Sequence, residues 1–418
     1  MGACNLNFAF ETARRPIAER QPAIDLPLVS VVITNFNYGA YIRQAVESVM
    51  TQTYPTIECI IVDDCSTDDS IEVIRELKQD FPSLRVLLNE KNSGQSISVL
   101  NGFRQAGGAY VIFLDADDYL FPDCVSAHIR AHLSLRVAVG VTSVDMVQLL
   151  DGRFVTTTSQ GFSEFVRSGV GLGQNIFRAF DHPFPATGDF SRVTIEENSL
   201  HYVHPSNAQF WPWSPTSGNC FRREALDLIM NNERFTTLRS CTDIYLLRGV
   251  AALTGSVLID HPLAAYRLHG SNDFIKTATI HRIRVYSPDY LEQRSAIAMA
   301  MIIDHIIENA ASLAHRLESR HYLIEALNAL GESWPPIIDA KFGPGYLGRQ
   351  IILHRRLLLK ALGATLYNDW LLSHLTFWKG KSQKRNVFTF LAGSLIGVFV
   401  LPIVCAMADR GYIFGKTR

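Results

Sequence analysis

The sequence predicts an α/β protein built on a doubly wound, mostly parallel sheet. Short apolar runs rich in β-branched residues recur through the first 120 residues and have the length of buried parallel strands. Segments with apolar residues at helical spacing separate these runs. Acidic loops follow two of the runs, and ligands of such sheets bind at the carboxyl ends of the strands.

Strands and helices alternate in chain order with short connections. The predicted strands lie at 28–34, 57–62, 84–88 and 110–114. The predicted helices lie at 41–51, 71–79 and 96–106. Tyr54-Pro55 ends the first helix, and Gly107-Gly108 ends the third. A polar run suited to N-capping opens the second helix.

The remainder of the chain is less regular and then helical. Residues 140–270 are rich in aromatic residues, Pro and Gly, and we expect a mixed region that covers the ligand cleft. Residues 285–378 are again helical, with amphipathic stretches at 290–315 and 346–362.

One apolar segment near the end of the chain indicates membrane contact. Residues 387–406 contain no charge and match the ~20 residues that cross a bilayer. A basic cluster with an aromatic neighbour precedes them, as at a cytoplasmic interface. These flanking residues are Trp378, Lys379, Lys381, Lys384 and Arg385. The alternative is a buried hairpin, which Gly393, Gly397 and Pro402 would suit.

Composition excludes several classes of protein. The 418 residues are 47% hydrophobic and 19% charged, which excludes disorder across the whole chain. Lys and Arg number 39 against 40 Asp and Glu, so no global basic field exists for nonspecific nucleic-acid binding. The seven cysteines form no CxxC pair, so neither a disulfide framework nor a zinc site is predicted. Residues 1–27 contain no apolar h-region, which argues against a secretory signal peptide.

Carboxylates follow the second and fourth predicted strands. Asp63 and Asp64 end the second, while Asp115, Asp117 and Asp118 end the fourth, so both sets should meet at one edge of the sheet. Crowded carboxylates are unfavourable unless a cation neutralises them. Mg²⁺ and Mn²⁺ prefer oxygen ligands and bridge to phosphates. The pattern favours a nucleotide diphosphate with a divalent metal over ordinary solvated loop aspartates.

Five motifs now point to a known family. They are Val29–Asn37, Ser48–Tyr54, Val62–Asp68, Asn92–Gly94 with Asn101–Arg104, and Gly108–Asp118. In order and spacing they resemble the family 2 glycosyltransferases over residues 28–122, and more loosely to about residue 272. The resemblance implies a GT-A fold and transfer of a sugar, with inversion, from a nucleotide-diphosphate sugar.

The resemblance also implies which residues contact the nucleotide. These donor-binding residues are Thr34, Asn35, Asp63, Asp64, Asn92 and Gly94. Thr34 stands in the loop that lines the nucleotide site, and Asp64 matches the aspartate that hydrogen-bonds the base. The loop of Asn92 and Gly94 could approach the nucleotide with its backbone, although a plain turn is the alternative.

The DxD motif of the family is matched by Asp115-Ala116-Asp117. There Asp115 would touch the ribose and Asp117 would hold Mn²⁺ or Mg²⁺ on the diphosphate. Asp118 is a second contributor to the donor site. His269 is a candidate third metal ligand beside Asp115 and Asp117, although a lone histidine is more often structural.

The general base of the family corresponds to Asp243, near the start of a predicted helix with Arg248 in the family position. An inverting reaction needs such a base to deprotonate the acceptor hydroxyl. Thr242 stands where the family has Glu, and the alternative for Asp243 is a carboxylate that the helix dipole favours. Gly218 belongs to a glycine loop near donor and acceptor, or else to a turn. Trp211 and Trp213 could stack on a sugar or pack in the core.

These assignments divide the chain into five predicted parts. They are a flexible extension at 1–27, a GT-A catalytic domain at 28–275, a helical extension at 276–385, a transmembrane or membrane-associated helix at 386–408, and a tail at 409–418.

The predicted enzyme moves one sugar, from a UDP-sugar, to a hydroxyl of a glycan, a lipid-linked glycan or another acceptor such as a protein. Its predicted process is polysaccharide biosynthesis for the cell envelope. It works at the cytoplasmic face of a membrane, in bacteria the inner membrane. One membrane helix and the lack of a Gln-x-x-Arg-Trp signature disfavour polymerisation. An inactive, membrane-tethered nucleotide-sugar binder is the alternative, which Thr242 supports. A nucleotidyltransferase is disfavoured, because 34–39 contains no Arg or Lys.

Overall fold

The computed structural model describes residues 26–157, 160–172, 176–177, 195–269, 272, 288–317, 319–332, 337–343 and 345–377. The predicted membrane helix at 386–408 and the tail at 409–418 lie outside the described residues. So does the predicted N-terminal extension up to residue 25.

The first half of the sheet forms as the sequence predicts. Its elements are β1 (Val29–Asn35), α1 (Gly39–Met50), β2 (Ile57–Asp63), α2 (Ser70–Asp80), β3 (Arg85–Leu88), α3 (Gln95–Gln105) and β4 (Tyr110–Asp115). Every residue of β1 is buried, as expected of a central strand with helices on both faces. The α1 helix buries Ile42, Ala45, Val46 and Val49, which recur at helical spacing.

The second half is more regular than expected for 140–270. Its strands are β5 (Tyr119–Leu120), β6 (Val141–Leu150), β7 (Arg153–Thr157), β8 (Leu200–Val203), β9 (Asn219–Arg222) and β10 (Ser256–Leu268). Its helices are α4 (Cys124–Ser134), α5 (Gln160–Arg167), α6 (Arg223–Leu226) and α7 (Thr242–Thr254). The aromatic and proline content of this region obscured the strand pattern, because Pro262 lies at a register shift inside the 13-residue β10.

The described strands form one sheet in the order β3-β2-β1-β4-β9-β6-β10-β5, with β7 beside β6 and β8 beside β10. The strands from β3 to β4 are parallel, but β9 runs antiparallel to both β4 and β6. The expectation of a mostly parallel sheet is therefore wrong for the second half, and the sheet is mixed. Flanked by helices, it resembles the GT-A fold.

The antiparallel strand β9 leaves the carboxyl ends of the neighbouring long strands at one edge of the sheet. Two antiparallel pairings in succession restore the strand direction, so β6 and β10 point the same way as β1 and β4. Apolar residues alternate between two cores on opposite faces, with Val32 and Ile60 on one side and Val31 and Ile61 on the other. The carboxyl ends of the parallel-running strands consequently meet at one rim.

Helices follow the sheet, as predicted for 285–378. They are α8 (Pro288–Glu308), α9 (Ala310–Arg316), α10 (Arg320–Gly331), α11 (Ile337–Phe342), α12 (Tyr346–Leu353), α13 (Arg355–Leu362) and α14 (Ala364–Phe377). The stretch 290–315 is broken by a bend of 78°, and the stretch 346–362 is interrupted at His354. Buried residues of α8 and α10 share one core with α7.

None of the described helices is by itself long and apolar enough to span a bilayer. The bent pair Gln293–Glu308 and Ala310–Arg316 satisfies the length and composition requirement only when both helices are taken together.

Candidate functional site

The carboxylates gather at the common rim of the strands. Asn35 lies beside Asp63, and Thr34 lies beside Asp115, in the registers of β1 with β2 and β4. The Thr34 hydroxyl donates to Asp115 Oδ1 over 3.2 Å. Asn35 is buried, and its Nδ2 donates to Ser66 Oγ over 3.2 Å. Four predicted donor-binding residues are thus adjacent at the ends of three neighbouring strands.

Asp64 fixes the loop that precedes α3. It is buried, and its Oδ1 accepts from Asn89 Nδ2 at 2.8 Å. Its Oδ2 accepts from the backbone N–H of Ser93 at 3.0 Å and of Gly94 at 2.7 Å. Asp63 instead accepts from the Ser66 N–H at 3.0 Å within its own loop. Asp64 therefore orients the Asn92–Gly94 loop beside the rim.

The same loop rests on the segment that leads to α7. Asn92 Oδ1 accepts from Arg239 Nη2 at 2.6 Å, and the Gln95 N–H donates to the Arg239 carbonyl at 3.0 Å. Gly94 has a φ of +92°, and a Cβ there would lie 2.8 Å from that carbonyl oxygen. Glycine is required at this position by both backbone conformation and space.

Replacing Gly94 with Ala should destabilise the chain by about 2–4 kcal/mol, because a strained backbone and a backbone contact are combined. Urea unfolding measures this difference. Gly152→Ala is the matched control, because φ there is +74° with no atom within 4 Å of the added Cβ. It should cost only about 1 kcal/mol. Equal losses in the two variants would show that the Arg239 contact contributes nothing.

Asp115 is held on two sides. Gln95 Nε2 donates to Oδ1 over 2.8 Å, and the Asp115 N–H donates to Ser217 Oγ at 3.2 Å. Burial and the neighbouring charge of Asp117 raise the pKa of Asp115 to about 7. Gln95 was not predicted from sequence. Its position directly after Gly94 was the available signal.

Asp117 faces His269 across the rim. His269 Nε2 lies 2.9 Å from Asp117 Oδ2, and Asn272 Nδ2 lies 3.4 Å from the same oxygen. The imidazole stacks on Tyr41 with 5.0 Å between ring centroids and meets Tyr38 edge-on at 5.5 Å. These contacts give His269 a fixed ring position beside a buried carboxylate.

Asp117 and His269 together fit a divalent metal, since a carboxylate oxygen and an imidazole nitrogen both suit Mn²⁺. Asp115, predicted with them, has its Oδ1 turned toward Thr34 and Gln95. Within the described parts of the chain, no three His, Cys, Asp or Glu side chains stand close enough to hold a metal. A divalent metal held here would have Asp117 and His269 as its side-chain ligands from the described residues.

Asp118 forms hydrogen bonds that connect its own loop to Ser217 and to Arg267 of β10. Its Oδ2 accepts from Ser217 Oγ at 2.6 Å, and its Oδ1 accepts from the Arg267 N–H at 3.0 Å. Burial and the charges of Asp117 and Asp115 raise its pKa well above the usual value. The Arg267 guanidinium donates to the Asp117 carbonyl at 2.8 Å and lies over the Tyr41 ring. Arg267 was not predicted; the aspartates that it contacts are distant in sequence.

Asp243 lies in the first turn of α7, after Cys241 in a left-handed conformation. It is half-buried, and its Oδ1 accepts from the Ile244 N–H at 2.8 Å. Burial raises its pKa to about 6. Its charge also contributes to the raised pKa of Asp115. Thr242 is fully buried, and its hydroxyl has no hydrogen-bond partner among the described residues.

Gly218, Trp213 and Trp211 all take part in packing contacts. A Cβ on Gly218 would lie 2.8 Å from the Ser214 Cβ, so close packing requires glycine there. Trp213 is fully buried and donates to Ser256 Oγ at 2.8 Å, which is the core role left open by the sequence. Trp211 is partly buried beneath the Arg248 guanidinium, at 5.7 Å from its ring centroid. Burial lowers the pKa of Arg248 to about 10.

Comparison with known proteins agrees with the motif assignment. Residues 30–182 match the family model described as glycosyl transferase family 2. An uncharacterized glycosyltransferase of Nostoc sp. is 29% identical over 60% of this chain and 68% of its own length. The putative teichuronic acid biosynthesis glycosyltransferase TuaG of Bacillus subtilis is 40% identical over 22% of this chain and 36% of its own. The match to TuaG therefore spans a minor part of both proteins.

Two solved structures align over most of this chain. The S. aureus TarS fragment in complex with UDP-GlcNAc has a TM-score of 0.44 at 17% identity, covering 86% of this chain and 94% of that one. The mannosyltransferase PcManGT of Pyrobaculum calidifontis, in complex with GDP-Man and Mn²⁺, has a TM-score of 0.37 at 15% identity, covering 95% and 92%. Similarity at this level carries no information about donor or metal.

Proposed function

We propose that this chain, which matches the glycosyl transferase family 2 model over residues 30–182, is a glycosyltransferase of that family and moves a single sugar, with inversion, from a nucleotide-diphosphate sugar to an acceptor hydroxyl. The observation that carries the proposal is the convergence of Asp64, Asp115 and Asp117 at one rim of the sheet. Gln95, which donates to Asp115, also donates from its backbone N–H to the Arg239 carbonyl in the segment that leads to Asp243. Crowded acidic groups are suited to a metal–diphosphate complex and a general base.

The donor site is assembled from the ends of β1, β2 and β4. Asp64 and the Asn92–Gly94 loop bind the base, and Asp115 binds the ribose beside Thr34 and Asn35. Asp117 and His269 would hold Mn²⁺ or Mg²⁺, with Asp118 keeping the loop of Asp117 in place through Ser217. When bound, the metal supplies charge that stabilises the leaving diphosphate.

Asp243 takes the proton of the acceptor hydroxyl. As that oxygen bonds to C1 of the sugar, the bond from C1 to the diphosphate oxygen breaks and the nucleoside diphosphate leaves. The electron pair of the broken bond departs with the diphosphate, and inversion follows from attack on the opposite face. A base with its pKa near the working pH is efficient at this step.

The pH dependence of turnover follows from the same group. Asp243 acts as a base only when ionised, and burial raises its pKa to about 6. At saturating donor, kcat should fall about tenfold per pH unit below this pKa and level off above it. A rate flat from pH 5 to 8, measured by release of nucleoside diphosphate, would contradict the assignment.

Donor screening tests the function directly. Calorimetry of the full chain against UDP-sugars and GDP-sugars, each with and without Mn²⁺, should give metal-dependent binding of at least one donor, with UDP-sugars favoured. If no donor binds in a metal-dependent manner, the proposed function is overturned. Binding without turnover on any glycan would favour the inactive nucleotide-sugar binder, for which Thr242 in place of Glu is the supporting observation.

We further propose that the acceptor is a glycan or lipid-linked glycan at the cytoplasmic face of a membrane, in bacteria the inner membrane, and that the product serves the cell envelope. The charge-free segment 387–406 and the basic residues before it support this location. Retention of the full chain in the membrane pellet after carbonate washing is the expected result. Release into the supernatant would contradict it.

A further inference from the structure

The charge of the chain is divided unevenly along its length. Residues 340–418 contain twelve Lys or Arg and two Asp, a net charge of +10. Since the whole chain carries −1, the residues before 340 carry −11. A net charge near zero therefore conceals an acidic body with a basic end, and fields of opposite sign attract different partners.

The described part of this basic end includes α12 and α13. No Asp or Glu occurs between 340 and 368. Arg356 and Lys360 are exposed, and Leu353 and Leu357 are 53% and 40% exposed. Spacings of three and four residues place Lys360 on the same side of α13 as Arg356 and Leu357, and Leu353 is the last residue of α12, two residues before α13 begins. We call this surface the basic–apolar face.

The basic–apolar face is distinct from the side of α13 that packs. Leu358, Ala361 and Leu362 are buried and join the core shared with α7 and α8. Besides this core-facing apolar side, Leu357 of α13 and Leu353 at the end of α12 are left about half exposed by the described residues. A helix face that meets only water carries polar side chains, so this second apolar surface calls for a partner.

We propose that the basic–apolar face docks on a membrane surface that contains anionic lipid. Interfacial helices bind in this way, with apolar side chains at the acyl boundary and Lys or Arg on anionic headgroups. A nucleic acid would use the two cations but leave the leucines in water. This surface is separate in sequence from 387–406, and the proposal goes beyond the sugar transfer without depending on it.

A fluorophore on the face tests the docking locally. The full chain carries Leu357→Cys, labelled with an environment-sensitive dye, after Cys4, Cys65 and Cys405 are changed to Ser. With vesicles of phosphatidylcholine and phosphatidylglycerol, the emission should shift to the blue and be quenched by nitroxide-labelled lipid. Val137→Cys, also at an exposed apolar position, is the matched label control and should not respond. An aqueous emission at position 357 in the presence of these vesicles overturns the proposal.

Charge and apolar variants measure what each part of the face contributes. Arg356→Gln with Lys360→Gln should lower partition of the label into anionic vesicles by about tenfold or more, as high salt should. Leu353→Ser should also weaken it. Arg75→Gln with Arg104→Gln removes the same charge from two other exposed positions, on α2 and α3, and should leave partition unchanged. Equal losses in both charge pairs, or saturable binding to duplex DNA without vesicle binding, would overturn lipid docking.

Discussion

Replacing Asp243 with Asn is expected to lower turnover by a factor of about 10²–10⁴ while donor affinity stays within experimental error. The amide keeps the shape of the side chain and can still accept from the Ile244 N–H. It cannot take a proton from the acceptor hydroxyl. Because the base acts on the acceptor, calorimetric donor binding should be unchanged and only release of nucleoside diphosphate should fall.

Asp227→Asn is the matched control for this variant. Asp227 is exposed at the end of α6 and should tolerate the change with full turnover. Loss of donor binding in Asp243→Asn would assign Asp243 to the donor site instead. Undiminished turnover in that variant would remove it from the reaction.

Replacing Asp117 with Asn is expected to abolish metal-dependent donor binding, with an affinity loss of about 100-fold or more. The variant removes the carboxylate that faces His269, leaving the imidazole as the remaining ligand of the pair. Binding measured with Mn²⁺ should fall to the level that the unchanged chain shows with chelator. Asp123→Asn, at an exposed position before α4, should bind as before.

Stability should move in the opposite direction to binding in Asp117→Asn. Asp115 has its pKa raised to about 7 by burial and by Asp117, so ionisation of Asp115 disfavours the folded state. This contribution to stability is complete below the unfolded pKa of about 4 and is lost as pH rises through 7. Without the Asp117 charge, less of this stability should be lost as the pH rises. Thermal unfolding at pH 8 without metal should therefore show no decrease in midpoint, and a lower midpoint would mean that the carboxylate is needed for folding.

The elements predicted correctly from the sequence are those that neighbouring residues determine. Buried β-branched runs such as β1 and amphipathic spacing such as that of α1 are set by neighbouring residues, and the structure follows them. The acidic loops were also predictable, because parallel strands bring their carboxyl ends to one rim. The antiparallel placement of β9 was not, since its four residues pair with β4 and β6 through contacts distant in sequence.

The same limit applies within the site. His269 was identified as a candidate and lies against Asp117, but the stacking on Tyr41 depends on the packing of α1 beside the end of β10. Arg239, which supports the Asn92–Gly94 loop, has no sequence pattern that links it to residues so far away. Contacts between side chains on separate elements arise only when the sheet is complete.

The strand order has a consequence for how the chain folds during synthesis. The four parallel strands from β1 to β4 are complete once Asp115 has been made, and their pairings are local. The next strand in sequence to enter the main part of the sheet, β6, reaches β4 only through β9, which begins at Asn219. Until then no other strand of the described residues pairs with this edge of β4, and such unpaired edges favour aggregation. A nascent chain halted between Leu150 and Asn219 should consequently depend most strongly on chaperones, whereas one halted after Leu268 should not.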